Sequence, residues 1–389
     1  MHAAKLSKQQ RTFRALHRQP VDQFPIFMSG TPQFMQKAMK CAPREATALQ
    51  SFQYCVDLDL DVVQVSHPSF YPVKVMELPR GSTYVDDLRR THVISEYYDD
   101  FCAPFPLQTT NKTDPDEIAR NWKAYQFPDP KDPKWFVNLD AVIAANGKLE
   151  APLSVWGTIN GPLEPTWQLL SDGWPAFYIL ARRRPALALD VIEKMTDYVL
   201  AAGQAMIARG IHALRVSDDY ALNAGLMTSV DIWKKFVYPS HCRLVRGLKK
   251  AGGADFPLIL HSDGNIMALL DALGQSGLDA INPIQPDALD FGQVVNTIGH
   301  RLAITGAFDL RYFLQSNSLD QRKGMETETR RLFSIIDEYN KSQIAGHQTG
   351  FCIGPSHQVQ PGSYPETFEA WVKIVHVVNH ERAQHFEHR

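Results

Sequence analysis

Short runs of apolar and β-branched residues recur along the chain, most ending in small or polar residues and most separated by stretches with helical periodicity. Eight stand out: FPIFM from Phe24, DVVQV from Asp61, LSVWG from Leu153, ALRVS from Ala213, LILHS from Leu258, AINPI from Ala280, LAITGA from Leu302 and FCIGP from Phe351. Strands that alternate with helices predict βα units on a parallel sheet, and near-continuous apolar runs such as LIL are what burial on both faces demands. Eight parallel strands close a barrel. The pattern therefore predicts an α/β protein, a (β/α)8 TIM barrel forming one domain over 1–389, with a helical extension before the first strand.

The best helical stretch is 186–209, where Leu189, Ile192, Met195, Val199 and Met206 mark a core-facing stripe and Pro185 sits at the start. Two more amphipathic helices are expected over 233–250 and 365–377. One region breaks the rhythm. Between 71 and 152 the chain carries Pro104, Pro106, Pro115, Pro128, Pro130 and Pro133 among many charges, without a long periodic run. It is expected to be an insertion over the barrel mouth, since too little of it is apolar to form its own core.

Composition narrows the function. At 44% hydrophobic and 21% charged, the 389 residues are an ordinary globular chain. Forty basic against 42 acidic side chains leave a formal charge of -2, too little to draw in nucleic acid or an anionic membrane. Small-molecule chemistry is the default. The five cysteines lie far apart with no CxxC pair, which fits a reducing compartment. A polar N-terminus and the absence of any apolar run of 18 residues predict a cytoplasmic protein.

In such barrels the functional residues follow the carboxyl ends of the strands. The candidates there are His67, Asp218, Asp219, Tyr220, His261, Asp263, Asn282, Gln285, Asp309 and His357. His261 and Asp263 alternate along one strand end and so point the same way, a pair able to orient a substrate, move a proton or hold a divalent metal. The structural alternative makes His261 a satisfied core histidine and Asp263 the start of a turn or a helix cap. Alternation also turns one of Asp218 and Asp219 to the mouth and the other to a helix. Cys352 is a candidate thiolate ligand, against the commoner state of a buried, inert thiol. Tyr71, Trp156, Trp167 and Tyr220 could wall an aromatic substrate or serve as packing. No Walker loop, GxGxxG after a strand, HExxH or GxSxG element occurs.

The second half of the chain resembles the uroporphyrinogen decarboxylase superfamily, which includes the methyltransferases of cobalamin-dependent methyl metabolism. The resemblance rests on SDDYALNAGLMTS from Ser217, LILHSDGNIMALLDALGQSGLDAINPIQPD from Leu258, LAITGAFD from Leu302 and FCIGPSHQVQPGSYPE from Phe351. It covers about 151–377, and RALHRQPVDQFPIF and DLDVVQVSH extend it into the N-terminal third. It implies a distorted (β/α)8 barrel. Decarboxylases of the family carry an arginine-rich RQAGRY motif after the first strand, where this chain reads MSGTPQFMQK, while His357 matches the histidine of their GHG motif. The methyltransferases bind zinc through an HxC pair and a later cysteine; here the pair reads His261-Ser262-Asp263, and Cys352 lies one residue from the later position.

The resemblance thus implies a methyltransferase or demethylase that moves a methyl group between a small molecule and an acceptor, either a corrinoid on a separate protein or a tetrahydrofolate-type amine. Asp219, His261 and His357 would be catalytic. His67, Trp156, Asp218, Tyr220, Asn282, Gln285 and Asp309 would contact substrate, and His261, Asp263 and Cys352 would hold zinc. The alternative is a metal-free decarboxylase of an aromatic or pyrrolic acid. A homodimer is expected, with neither nucleic acid nor membrane as partner.

Overall fold

The structure is a computed structural model and describes residues 5–41, 47–70, 77–96, 98–109, 114–170, 173–344 and 346–387. Its strands, in chain order, are β1 (Val62–Ser66), β2 (Thr83–Val85), β3 (Thr91–Ile94), β4 (Asp99–Cys102), β5 (Ser154–Asn160), β6 (Ala213–Ser217), β7 (Ala221–Leu222), β8 (Gly225–Leu226), β9 (Leu258–His261), β10 (Ala280–Asn282), β11 (Ala303–Thr305) and β12 (Phe351–Cys352). Seven form one curled parallel sheet in the order β1-β5-β6-β9-β10-β11-β12. The first apolar run spans the gap between its edges. Ile26 bridges Ile353 in parallel, Phe27 N–H donates to the Ile353 carbonyl at 3.0 Å, and Asp61 N–H donates to the Ile26 carbonyl at 3.0 Å. The architecture is TIM-barrel-like.

Period-two alternation sorts the strand residues into two sets. Val63, Val65, Val155, Ile159, Leu214, Val216, Leu258 and Leu260 face outward and join the helices in the larger apolar core. Val62, Trp156, Ala213, Ile259, Ala280, Ala303 and Cys352 form a second, smaller apolar cluster with Phe27, Ala15 and Leu16. This cluster is the inner layer at the amino end of the strands, and the helix Lys8–Leu16 caps it. Ser7 starts that helix with a capping box to Gln10, and Arg11 anchors it through Asp22 at 2.8 Å and Asp61 at 2.6 Å. Two residues further along each strand, the same inner face carries Gln64, Thr158, Arg215, His261, Asn282 and Thr305. The interior therefore changes from apolar to polar towards the carboxyl ends.

The long helix is Pro185–Ile207. The 233–250 segment divides into Val230–Phe236 and Tyr238–Gly252, the second opening with Pro239 in its first turn. The stretch 71–152 is more regular than expected. Strands β2, β3 and β4 form an antiparallel sheet, and helices Pro115–Ala124 and Val137–Asn146 follow. Strands of three or four residues leave no readable period. Ile118, Trp122, Trp135, Phe136 and Leu139 join the larger core, while the fully buried Arg90 ties the region to the sheet by donating to Asp86 at 2.6 Å, to the Ser69 carbonyl at 3.1 Å and to Gln168. Tyr71 lies outside the described residues. No helix among the described residues is long and apolar enough to cross a membrane.

His241, on Tyr238–Gly252, is fully buried between the Tyr220 hydroxyl at 3.2 Å and Ser276 Oγ at 3.3 Å, and burial pushes its imidazole down to about 4. Such a histidine is charged more readily in the unfolded chain, so its contribution to stability is complete above the unfolded value near 6.5 and is lost as pH falls towards 4. Buried carboxyls with raised values act in the opposite sense, so the wild-type profile alone mixes the two. The stability difference between wild type and His241→Gln, measured by urea unfolding, should shrink by on the order of 1 kcal/mol per pH unit below about 6.5. A difference that is constant from pH 7.5 to 5 would show that this histidine is not buried neutral.

Candidate active site at the carboxyl ends of the strands

His261 ends β9 and Asp263 follows two residues on. His357 comes from the loop after β12, and the three side chains converge with ligand-capable atoms all within 4.8 Å of one another. His357 Nε2 lies 3.1 Å from Asp263 Oδ2, and His261 Nε2 lies 3.7 Å from Asp263 Oδ1. Asn282 Nδ2 donates to the Thr305 carbonyl at 3.1 Å, which orients the amide so that its oxygen faces His261 Nδ1 at 2.6 Å. Nδ1 therefore carries the hydrogen and Nε2 presents its lone pair to the cluster. Asp263 Oδ1 is buried and accepts no hydrogen bond among the described residues.

The loop that presents Asp263 is held on three sides. Asp263 N–H donates to Asp219 Oδ1 at 2.9 Å, Gly264 N–H to Gln285 Oε1 at 2.7 Å, and Asn265 N–H to the Leu222 carbonyl at 2.9 Å. Gly264 has φ +79°, and a Cβ there would meet the Leu222 carbonyl at 2.7 Å, so the turn requires glycine.

Electrostatics separates the groups. Burial, reinforced by the charge of Arg215, depresses the His261 imidazole to about 4, so it is neutral near pH 7. Burial opposes charge on His357 and Asp263 as well. Their mutual hydrogen bond and attraction nevertheless lift His357 above its ordinary value and hold Asp263 below the usual carboxylate range. Burial and the neighbouring Asp263 push Asp219 up to about 6. Asp218 is pushed up to about 7 by burial, although it accepts from Glu164 N–H at 2.7 Å and Leu163 N–H at 3.2 Å. It thereby caps the helix Leu163–Leu170, while Asp219 faces the site, the division that alternation predicts. Glu164 is driven well above its ordinary value by burial, with Asp219 and Asp218 adding.

A cavity of about 390 Å³ lies among Gln64, Ser66, Phe70, Phe101, Glu164 and Gln358, with residues 28–32 forming another part of its wall. Gln358 follows His357, and Glu164 shares the field of Asp219, which holds Asp263. Cavity wall and cluster are thus linked through Gln358 along the chain and through the charge of Asp219.

The family model described as uroporphyrinogen decarboxylase (URO-D) matches residues 111–378. The chain belongs to this family. It is similar to uroporphyrinogen decarboxylases of Saccharophagus degradans, 24% identical over 376 residues with 95% of this chain and 96% of the relative covered, and of Shewanella piezotolerans, 22% identical with 95% and 97% covered. Among solved structures it is similar to a methyltransferase from Methanosarcina mazei, with TM-score 0.65 and 14% identity over 96% of this chain and 99% of that one. It is also similar to a B12-independent methionine synthase from Shewanella sp. in complex with selenomethionine, with TM-score 0.51 and 9% identity over 94% and 100%. At these identities the structural likeness concerns the fold.

Within this uroporphyrinogen decarboxylase family member, several sequence candidates lie away from the cluster. Cys352 is fully buried in the inner apolar layer beside Trp156 and Ala303, and burial raises its thiol well above the ordinary value. His357 instead stands with His261 and Asp263. Cys352 is therefore corrected from ligand to core thiol, because its strand position falls in the lower, apolar layer. Trp156 belongs to the same layer, is tilted against Phe27 with ring centroids 5.5 Å apart and donates to Ser154 Oγ, so it serves as packing. Tyr220 is buried against Trp233 and His241. His67 is buried among Phe70, Trp135 and Phe136, with Ser69 Oγ 2.8 Å from its Nδ1. Asp309 caps the turn Leu310–Leu314 and pairs with Arg311. Asn282 and Gln285 hold His261 and Gly264 in place.

Four residues escaped the sequence reading: Gln64, Glu164, Gln168 and Arg215. Gln64 and Arg215 were legible in principle, since each is a polar residue at an inward position of an otherwise apolar strand. Glu164 and Gln168 lie on the first turns of a helix whose position depends on Asp218.

Proposed function

We propose that the chain is a methyl-transferring enzyme acting on a small molecule, with zinc held by His261 Nε2, Asp263 and His357. The observation that carries this reading is the convergence of two imidazoles with a carboxylate whose Oδ1 is buried without a donor among the described residues. Three protein ligands leave a position for substrate, and the Asn282 contact to the far nitrogen of His261 is the support that metal-binding histidines usually have. Nitrogen and oxygen donors suit a harder site than a thiolate set. A bound metal would supply Lewis acidity towards an ether or amine heteroatom.

In the overall transfer, the bond from methyl carbon to that heteroatom breaks and its electron pair stays on the heteroatom. The new bond is made by an electron pair from the acceptor, a reduced corrinoid on a separate protein or a tetrahydrofolate-type amine. Asp219, near 6, titrates close enough to neutrality to give a proton to the departing heteroatom or to take the one an amine acceptor loses. The names of the two structural neighbours, a methyltransferase and a methionine synthase, support the reading. The test is metal analysis of protein purified without chelator: about one zinc per chain is expected, and it should be absent from His261→Ala. Full activity in metal-free protein would overturn it.

The second reading is a metal-free decarboxylase of an aromatic or pyrrolic acid. It is favoured by the names of the sequence relatives and by the 3.1 Å His357–Asp263 pair, which stabilises an imidazolium able to donate a proton. Asp219 would stabilise a protonated intermediate, whereas both oxygens of Asp218 already accept helix N–H groups. Release of carbon dioxide by metal-free protein would select this reading.

A further inference from the structure

The cavity wall is one-sided in its chemistry. Its ionisable lining comprises Glu164, Asp99, His92, Tyr98 and Cys55, with no lysine or arginine among the described residues. The part of the wall formed by 28–32, MSGTP, adds no basic side chain. His92 is engaged by Asp86 at 3.0 Å, and Arg90, whose charge acts on Glu164, is committed to Asp86 and Gln168. Glu164 shares its surroundings with two further carboxyls, Asp218 and Asp219.

Gln64 adds an independent observation on another wall. Its Nε2 donates to the Met28 carbonyl at 3.3 Å, which fixes the amide orientation, and its Oε1 is buried with no donor among the described residues. Gln64 Oε1 is thus a hydrogen-bond acceptor awaiting a donor in a carboxyl-rich pocket, flanked by the rings of Phe70 and Phe101; Glu164, whose proton affinity burial and the nearby Asp219 and Asp218 raise, would release its proton as a cation enters.

From this arrangement we infer that the cavity is a subsite for a protonated amine: a small organic ammonium ion whose N–H groups are accepted by Glu164 and Gln64 Oε1 while its hydrocarbon lies against Phe70 and Phe101. A polycarboxylate would meet carboxyls and a buried acceptor where it needs basic donors. The inference concerns which molecules enter, and does not depend on whether methyl transfer or decarboxylation follows.

Calorimetric titration of the full chain with three probes of one shape tests it: benzylammonium, benzyl alcohol and benzoate, each with and without added zinc. Benzylammonium should bind at least about 10-fold more tightly than benzyl alcohol, with benzoate weaker still. Glu164→Gln, which keeps the side-chain shape, should erase most of that advantage. Gln64→Leu should weaken benzylammonium by about 3-fold or more and benzyl alcohol by less, since a charged donor makes the stronger hydrogen bond, which keeps the test open if Glu164→Gln folds poorly. Equal affinities, a preference for benzoate, or cation binding untouched by both substitutions would overturn the assignment. Because the readout is binding, its failure leaves the zinc content unaffected, and loss of zinc leaves the order of the three probes unaffected.

Discussion

On the methyl-transfer reading, Asp263→Asn is expected to abolish zinc binding at the proposed site and lower turnover of the methyl donor by about 10³-fold, because Lewis-acid stabilisation of developing charge contributes several kcal/mol and each 1.36 kcal/mol is tenfold in rate. Asparagine matches aspartate in volume and keeps the backbone N–H bond to Asp219, but it removes the charge that pairs with His357 at 3.1 Å and the oxygen nearest His261. Metal content, kcat/KM and thermal melting measured on one preparation distinguish the cases. Retained zinc with near-normal turnover would remove Asp263 from the ligand set. Lost zinc with normal turnover would move the chemistry to the acid-base reading, in which Asp219 and His357 act without metal.

The largest expected loss of stability comes from the opposite end of the strands. A Cβ on Gly350 would lie 1.7 Å from the Ala15 carbonyl oxygen and 2.8 Å from its carbon. Both sides of this contact are backbone, so no side-chain rotation relieves it. Gly350 is fixed because its carbonyl accepts from Ile304 N–H at 2.9 Å, and Ala15 belongs to the helix anchored through Arg11. In Gly350→Ala that helix must lift, uncovering Ala15 and Leu16 and straining the Arg11–Asp61 pair. The cost should be at least about 3 kcal/mol, the scale of overpacking combined with damage to a buried ion pair. At about 2–4 °C per kcal/mol for domains of 150–250 residues, and less for a longer chain, the drop in melting temperature should be several degrees. Hydrogen exchange should show loss of protection over Lys8–Leu16. A melting temperature within about 2 °C of wild type would mean that the helix docks less closely than described.

Much of the fold was legible because it rests on local rules. ALRVS from Ala213 is a strand over the residues expected, Ala213–Ser217, since a run buried on both faces is continuous and bounded by turns. The long helix was found within two residues at each end because its core stripe repeats over 23 residues. The sheet of β2, β3 and β4 was hidden, since strands this short and partly exposed have no clean alternation.

The candidate site divides the same way. Alternation along β9 places His261 and Asp263 on one face, and alternation after β6 sends one of Asp218 and Asp219 to a helix and the other to the interior. Both follow from a two-residue period and need no tertiary information. Depth along the barrel does need it. Cys352 and His357 both follow from the run beginning at Phe351, but the stagger between neighbouring strands, with Thr305 opposite Cys352 and Asn282 opposite His261, sets Cys352 in the apolar layer and leaves His357 to meet Asp263. Glu164 and Gln64 line one cavity only because β1 pairs with β5, a strand some ninety residues further along the chain. The sequence by itself determined the strands of the parallel sheet, their faces and the strand ends that carry the candidate site, because these depend on neighbours a few residues away. Which strand-end side chains converge, and the sign of charge in the cavity beside them, was decided by the tertiary structure, because strand stagger and the burial of carboxyls from distant segments have no local signature.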